Sequence, residues 1–195
     1  MTAIPRTKYM SDNELARLRT LARKEGTPTE WLLIDLATQT GLRVCELASL
    51  KPKDFDFDLQ AVYVVRAKKH RAADEDRSPE LLPLSPEISE HVLQYISDFH
   101  CSPEISIWRG QRGRWGRRGL QQAWKSCCKR AGLSPRISIH AARHTMAVRL
   151  LRESRNLRMV QKQLGHSDPS TTANMYADVT FEDQQAALSS LFRGG

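Results

Sequence analysis

The 195-residue sequence has no apolar run near the roughly 20 residues that span a bilayer, and its opening, MTAIPRTKYMSDNEL, lacks the apolar core of a signal peptide. A soluble, cytoplasmic protein with no membrane partner is expected. Cysteine is scarce: Cys45, Cys101, Cys127 and Cys128 show no zinc-ligand spacing, and sequence neighbours rarely bridge. Free thiols in a reducing compartment follow. There is no internal repeat and no low-complexity linker, which leaves one domain as the expectation. Hydrophobic residues at 40% and charged residues at 27% are ordinary globular values, and the length suffices to bury a core.

Acid is missing from one long stretch. Between Ile105 and Arg152 there are ten Arg and two Lys with no Asp or Glu, whereas the remainder carries 18 basic and 22 acidic residues. Charge polarised in this way points to a polyanion, with nucleic acid first.

The pattern of elements is mainly helical. Ser11 with Glu14 forms a capping box, opening a helix with Leu15, Leu18 and Leu21 on one face and an end near Gly26. Thr27-Pro28-Thr29-Glu30 starts a second helix, with Pro in its first turn; it is apolar nearly all round and stops at Gly41. A short helix, Val44 to Leu50, follows Arg43. Ala61 to Val65 is a β-branched strand, Leu81 to Leu84 its return, and Ile105-Ser-Ile107 reads as a third strand. Trp108 to Arg118 reads as a basic, Gly-rich loop, with Trp108 and Trp115 anchoring in the core. A helix to Arg130, one after Ser134-Pro135 that carries His140 and Arg143, a turn at Asn156 with a short helix to Leu164 capped by Gly165, and an amphipathic helix from Phe181 to Phe192 complete the chain. The fold class is α+β, mainly α with a small antiparallel β-sheet.

Chemistry concentrates in ISIHAARHTMAVRLL and LGHSDPSTTANMYADV, within Ile137 to Val179. His140 and Arg143 stand at i and i+3 and share a helix face; His166 follows Gly165, and Tyr176 comes ten residues later. Arg43, in TGLRVCEL, supplies a second guanidinium from elsewhere. Singly, each reads as a surface arginine, a helix-end histidine or a packed tyrosine. Together they suit a phosphodiester attacked by a phenol. No carboxylate pair at metal-ligand spacing accompanies the cluster, so no metal and no cofactor is expected.

These motifs resemble those of the tyrosine recombinase (phage integrase) family, in order and spacing, over almost the whole chain. TGLRVCELASL resembles the family's first-arginine motif, IHAARHT its His-x-x-Arg motif, and LGHSDPSTTANMYADV its final His and nucleophilic Tyr. The resemblance implies the catalytic-domain fold of that family. It makes Arg43 and Arg143 the clamp on the scissile phosphate, assisted by His140 and His166, with Tyr176 attacking. It also implies a hairpin lysine, best placed at Lys68 with Lys69 next, and a supporting acid at Glu46. The chemistry agrees. Two guanidiniums can hold the charge gathering on the non-bridging oxygens. An ammonium can protonate the departing 5′ oxygen, a task unsuited to arginine, which stays protonated. A phosphotyrosine conserves the bond for religation without ATP.

The implied function is site-specific recombination of double-stranded DNA: integration, excision or inversion. A type IB topoisomerase-like nicking and sealing enzyme, and a catalytically idle DNA-binding regulator of the same fold, remain as alternatives. Arg109, Arg112, Arg114, Arg117 and Arg118 are the expected DNA contacts. The expected organisation is a single catalytic domain over residues 1–195 without a separate N-terminal DNA-binding domain. The C-terminal helix, about 180–192, is either exchanged between protomers or folded back on its own. A homo-tetramer on synapsed sites, a monomer or weak oligomer when free, and an accessory DNA-bending protein are the expected partners.

Overall fold

The computed structural model describes residues 9–67, 78–110 and 113–165. In chain order these form α1 (Asp12–Glu25), α2 (Pro28–Thr40), α3 (Val44–Ser49), β1 (Phe55–Asp56), β2 (Ala61–Val64) and β3 (Glu80–Pro83). After them come α4 (Pro86–Asp98), β4 (Arg109–Gly110), β5 (Gly113–Arg114), α5 (Arg117–Arg130), α6 (Ile139–Ser154) and α7 (Leu157–Leu164). The expected mainly helical fold with small antiparallel sheets is what forms.

Helix α2 is the axis of the packing. Thr27 and Glu30 close a capping box with Pro28 in the first turn, and Gly41, at φ 64°, ends the helix in the left-handed region. Leu32, Leu33, Ile34, Leu36 and Ala37 are all buried, so α1, α4, α5 and α6 surround it. An enclosed helix must also satisfy its polar side chains. Thr38 and Thr40 donate to Ile34 O and Leu36 O at 2.7 and 2.6 Å, and Asp35 accepts from Arg19 Nε at 3.1 Å. On α1 the buried stripe is Leu15, Leu18 and Ala22; Leu21, expected on that face, is only half-buried because the i, i+3, i+7 line runs through Ala22.

The three-stranded sheet has order β1-β2-β3, all antiparallel, with Phe55 opposite Val62 and Val62 opposite Leu82. Its third strand is therefore the short Phe55–Asp56, and the expected strand at Ile105–Ile107 does not form. The reason lies in where that segment's hydrogen bonds go. Ser106 Oγ donates to Ala48 O at 3.0 Å, Ile107 N to Leu50 O at 3.0 Å, and Trp108 Nε1 to Leu47 O. These carbonyls lie at the C-terminal end of α3, where helix acceptors lack partners of their own. The basic loop expected over Trp108 to Arg118 also takes partial structure. Arg109 and Arg114 face each other across a two-stranded hairpin, and Arg117 and Arg118 begin α5.

Trp108 and Trp124 are fully buried, and Trp115 is partly buried against the core. All four cysteines are free; burial pushes the Cys127 and Cys128 thiols up to about 11 and about 12, which keeps them protonated. Among the described residues no helix is long and apolar enough to cross a membrane. A smaller core of Met146, Ala147, Val160 and Leu164 joins α6 to α7.

Trp108→Phe keeps most of the apolar volume but removes the indole bond to Leu47 O, leaving that carbonyl with the Leu50 N–H at 3.2 Å. Urea denaturation should show a loss of about 0.5–1.5 kcal/mol. A loss under about 0.5 kcal/mol would mean the indole bond does not anchor α3.

Candidate active site

The chain leaves α2 through the left-handed turn at Gly41, where an added Cβ would meet Met146 Cε at 2.2 Å. This close approach brings the end of α2 onto the α6–α7 core and sets Arg43 at the N-cap of α3. Glu46, three residues into α3, reaches back to cap it. Its Oε2 accepts from Arg43 N at 2.8 Å, and its Oε1 accepts from Arg43 Nη1 at 3.0 Å. The same Oε1 accepts from Ala67 N at 3.1 Å, at the end of the hairpin strand. Glu46 is 1% exposed in its side chain and Arg43 30%, so the carboxylate is sunk while the guanidinium reaches the surface.

Arg143 rises from α6 into the same region. Nη1 donates to Gly41 O and Nη2 to Leu164 O, each at 2.7 Å. Both acceptors lie at helix C-terminal ends, where the backbone dipole favours a cation. Burial, and then the like charges of Arg43 and Arg66, push the Arg143 guanidinium down to about 10, while Glu46 pulls the other way. That is still well above neutrality, so the side chain stays a cation. His140, one turn earlier on α6, is exposed and sits in a first turn that holds no acid. Arg43 and Arg143, chosen from sequence, therefore interact beside one buried acid, and His140 lies one turn of α6 from Arg143.

A further arginine joins them. Along β2 the buried residues Val62 and Val64 alternate with exposed Tyr63 and Val65, and continuing the period places Arg66 inward. Arg66 Nε donates to Glu80 Oε2 at 2.8 Å, Nη2 donates to Gln163 O at 2.6 Å, and Nη1 lies 3.6 Å from Glu46 Oε2. The sequence motifs do not single out Arg66. The period of two carried past Val64 is the signal that locates it.

Lys68, Lys69, His166 and Tyr176 lie outside the described residues, as do Arg112 and the helix expected from Phe181. Gly165, the left-handed cap of α7 at φ 60°, directly precedes His166 in the chain. Arg114, Arg117 and Arg118 are exposed, and Arg109 is half-buried. Gly116 caps α5 without a side-chain bond, and the first turn of α5 contains no acid. Two arginines stand where the helix already presents its positive end.

The family model described as the phage integrase family matches residues 8–183. A curated tyrosine recombinase of Pseudothermotoga lettingae is 28% identical over 187 residues, covering 96% of this chain and 62% of that protein. Tyrosine recombinase XerA of Thermococcus kodakarensis is 31% identical over 159 residues, covering 80% of this chain and 53% of its own length. The chain thus spans between half and two thirds of the length of these relatives. The crystal structure of XerA recombinase shares the fold with a TM-score of 0.78 at 21% identity, over 94% of this chain and 63% of that one. The Tn1549 transposon integrase in complex with transposon right end DNA gives 0.73 at 22% identity, over 98% and 68%.

If Glu46 neutralises the surrounding cations, Glu46→Gln should cost about 3–5 kcal/mol despite its matching shape. Chemical denaturation reads this directly. A cost below about 1 kcal/mol would show that the carboxylate acts only as a hydrogen-bond acceptor.

Proposed function

The chain belongs to the phage integrase family, and from that premise we propose that it is a site-specific recombinase acting on duplex DNA through a phosphotyrosine at Tyr176. The observation that carries this reading is the pairing of Arg43 and Arg143 around Glu46, with exposed His140 one helical turn away. A buried carboxylate holds the first guanidinium from behind, and two helix ends hold the second. Both are thereby oriented before any substrate arrives, which is the condition for electrostatic catalysis.

In the proposed cleavage step the Tyr176 oxygen bonds to phosphorus while the bond to the 5′ oxygen breaks. The phenol proton departs, with His140 or His166 within the expected set of acceptors. Lys68 gives a proton to the 5′ oxygen, so a 5′ hydroxyl leaves and a 3′-phosphotyrosine remains. Arg43 and Arg143 carry the charge that gathers on the non-bridging oxygens. Rejoining is the reverse with a different 5′ hydroxyl, and needs neither ATP nor a metal in this scheme.

Duplex DNA as the partner is supported by the acid-free stretch from Ile105 to Arg152 and by the helix start at Arg117 and Arg118. Helix N-termini bind phosphate through free N–H groups, and flanking arginines add charge. Arg109, Arg112 and Arg114 on the preceding hairpin segment extend the same surface in this reading. Recombination joins two sites, each cut on two strands, so the working assembly is a tetramer.

Covalent trapping tests the chemistry. On a nicked suicide duplex carrying the DNA that flanks the protein's own locus, the wild-type chain should give a slow-migrating adduct that persists in EDTA. Tyr176→Phe should abolish it, and Arg43→Ala should reduce its rate by about 100-fold or more. Clear binding with no adduct would favour a DNA-binding regulator. Relaxation of DNA lacking any specific site would favour a topoisomerase-like enzyme.

The interface has its own test. Arg117→Ala and Arg118→Ala should each lower the slope of log affinity against log salt by about 1. Unchanged slopes in a fluorescence anisotropy titration would place the start of α5 away from the DNA.

A further inference from the structure

Arg66 is the residue whose position the proposed chemistry does not yet explain. Its side chain is 8% exposed, and its contacts lead to three separate parts of the chain. Nε reaches across the hairpin to Glu80 at 2.8 Å, and Nη2 takes the Gln163 carbonyl near the end of α7 at 2.6 Å. Nη1 faces Glu46 at 3.6 Å and, among the described residues, has no hydrogen-bond partner. A Cβ on Gly165 would come within 2.6 Å of Arg66 Nε, so the guanidinium rests against the residue that precedes His166. In sequence, Arg66 stands two positions before Lys68.

Stability does not account for this choice. A buried ion pair can often be replaced by an apolar side chain of similar volume at no cost. Arg66 also adds like charge beside Arg143 and helps to depress its pKa. What only a planar, multi-donor fork can do is hold several acceptors in fixed directions at once.

We propose that Arg66 is a positioning residue for strand cleavage. It locks the base of the lysine hairpin, the end of α7 and the site carboxylate in one register. Ala67 and Gly165, which directly precede Lys68 and His166 in the chain, are thereby fixed relative to Arg43. This rests on the recombinase reading above, in which Lys68 protonates the leaving 5′ oxygen.

The chemistry of the leaving group provides the test. Replacing the bridging 5′ oxygen by sulfur lets the strand depart as a thiolate, because a thiol, with a pKa of about 8.5, is far more acidic than an alcohol. Proton donation is then unnecessary, and a defect in placing the donor is relieved. A general loss of structure is not.

Suicide-substrate cleavage is measured for wild type, Arg66→Met and Lys68→Ala, with oxygen and with sulfur at the bridge, alongside DNA binding. Arg66→Met should bind DNA as wild type does and cleave the oxygen substrate about 100-fold more slowly, shrinking to about threefold or less with sulfur. Lys68→Ala should follow the same pattern. Glu80→Ala is the second variant, since it removes the acceptor of the hairpin bond at a side chain that is 48% exposed and leaves the core intact. It should slow the oxygen reaction by about tenfold and be relieved by sulfur in the same way. Equal deficits on both substrates, or normal oxygen cleavage by Arg66→Met, would overturn the assignment. A wild-type chain that forms no adduct on either substrate would overturn the recombinase reading and this inference with it.

Discussion

A single buried carboxylate organises the site. Glu46 is almost wholly removed from water, and an ionised carboxylate in that position is costly unless charge and hydrogen bonds surround it. It is met by Arg43 through both backbone and side chain, by the Ala67 amide, and by the charge of Arg66. Each of these comes with a segment attached: the turn after α2, and the end of the hairpin strand. The need to neutralise one acid therefore fixes the relative placement of elements distant in sequence. Local geometry makes it possible, because the third residue of a helix is the one that can reach back to the N-cap amide.

Arg143 is held by a different device. It has no carboxylate among its described hydrogen-bond partners; it sits on the carbonyls of Gly41 and Leu164. Two helices that end in left-handed glycines direct their negative ends at one guanidinium. Because those acceptors are backbone atoms, they are fixed by the fold and do not move with a side-chain rotamer. Neutral acceptors also leave the cation's full charge available to an anion. Lysine could not serve both carbonyls with the same rigidity, since its ammonium is a point charge on a flexible stem.

The helix ends were legible in sequence, since their causes are local. The capping boxes at Ser11–Glu14 and Thr27–Glu30 and the stops at Gly41 and Gly165 each depend on a few neighbouring residues. Arg43, His140 and Arg143 were legible as a set through their motifs, although nothing in the sequence showed how each would be held. Arg66 was not legible as a structural residue, because two of its partners lie 14 and 97 positions away. The segment from Ile105 to Ile107 misled for a related reason. Its β-branched, apolar pattern suits a strand, yet its hydrogen bonds are taken by the open end of α3, a tertiary contact that outweighs propensity.

The charges of the site do not balance within the buried layer. Arg43, Arg66 and Arg143 gather near Glu46, while Glu80 lies at the exposed rim. Burial first, and then the like charges of Arg43 and Arg66, depress the pKa of Arg143, so holding these cations together carries a cost in the unliganded protein. In the proposed reaction a phosphodiester held by Arg43 and Arg143 would supply the missing negative charge, and a transition state with more charge on its oxygens would supply more. The strain is thus relieved progressively along the proposed reaction, and binding becomes strongest where the charge is greatest. This gives the surplus of arginine a role that packing alone does not. A site neutral in its free form would hold together better, but it would discriminate less between a bound phosphate and one being transferred.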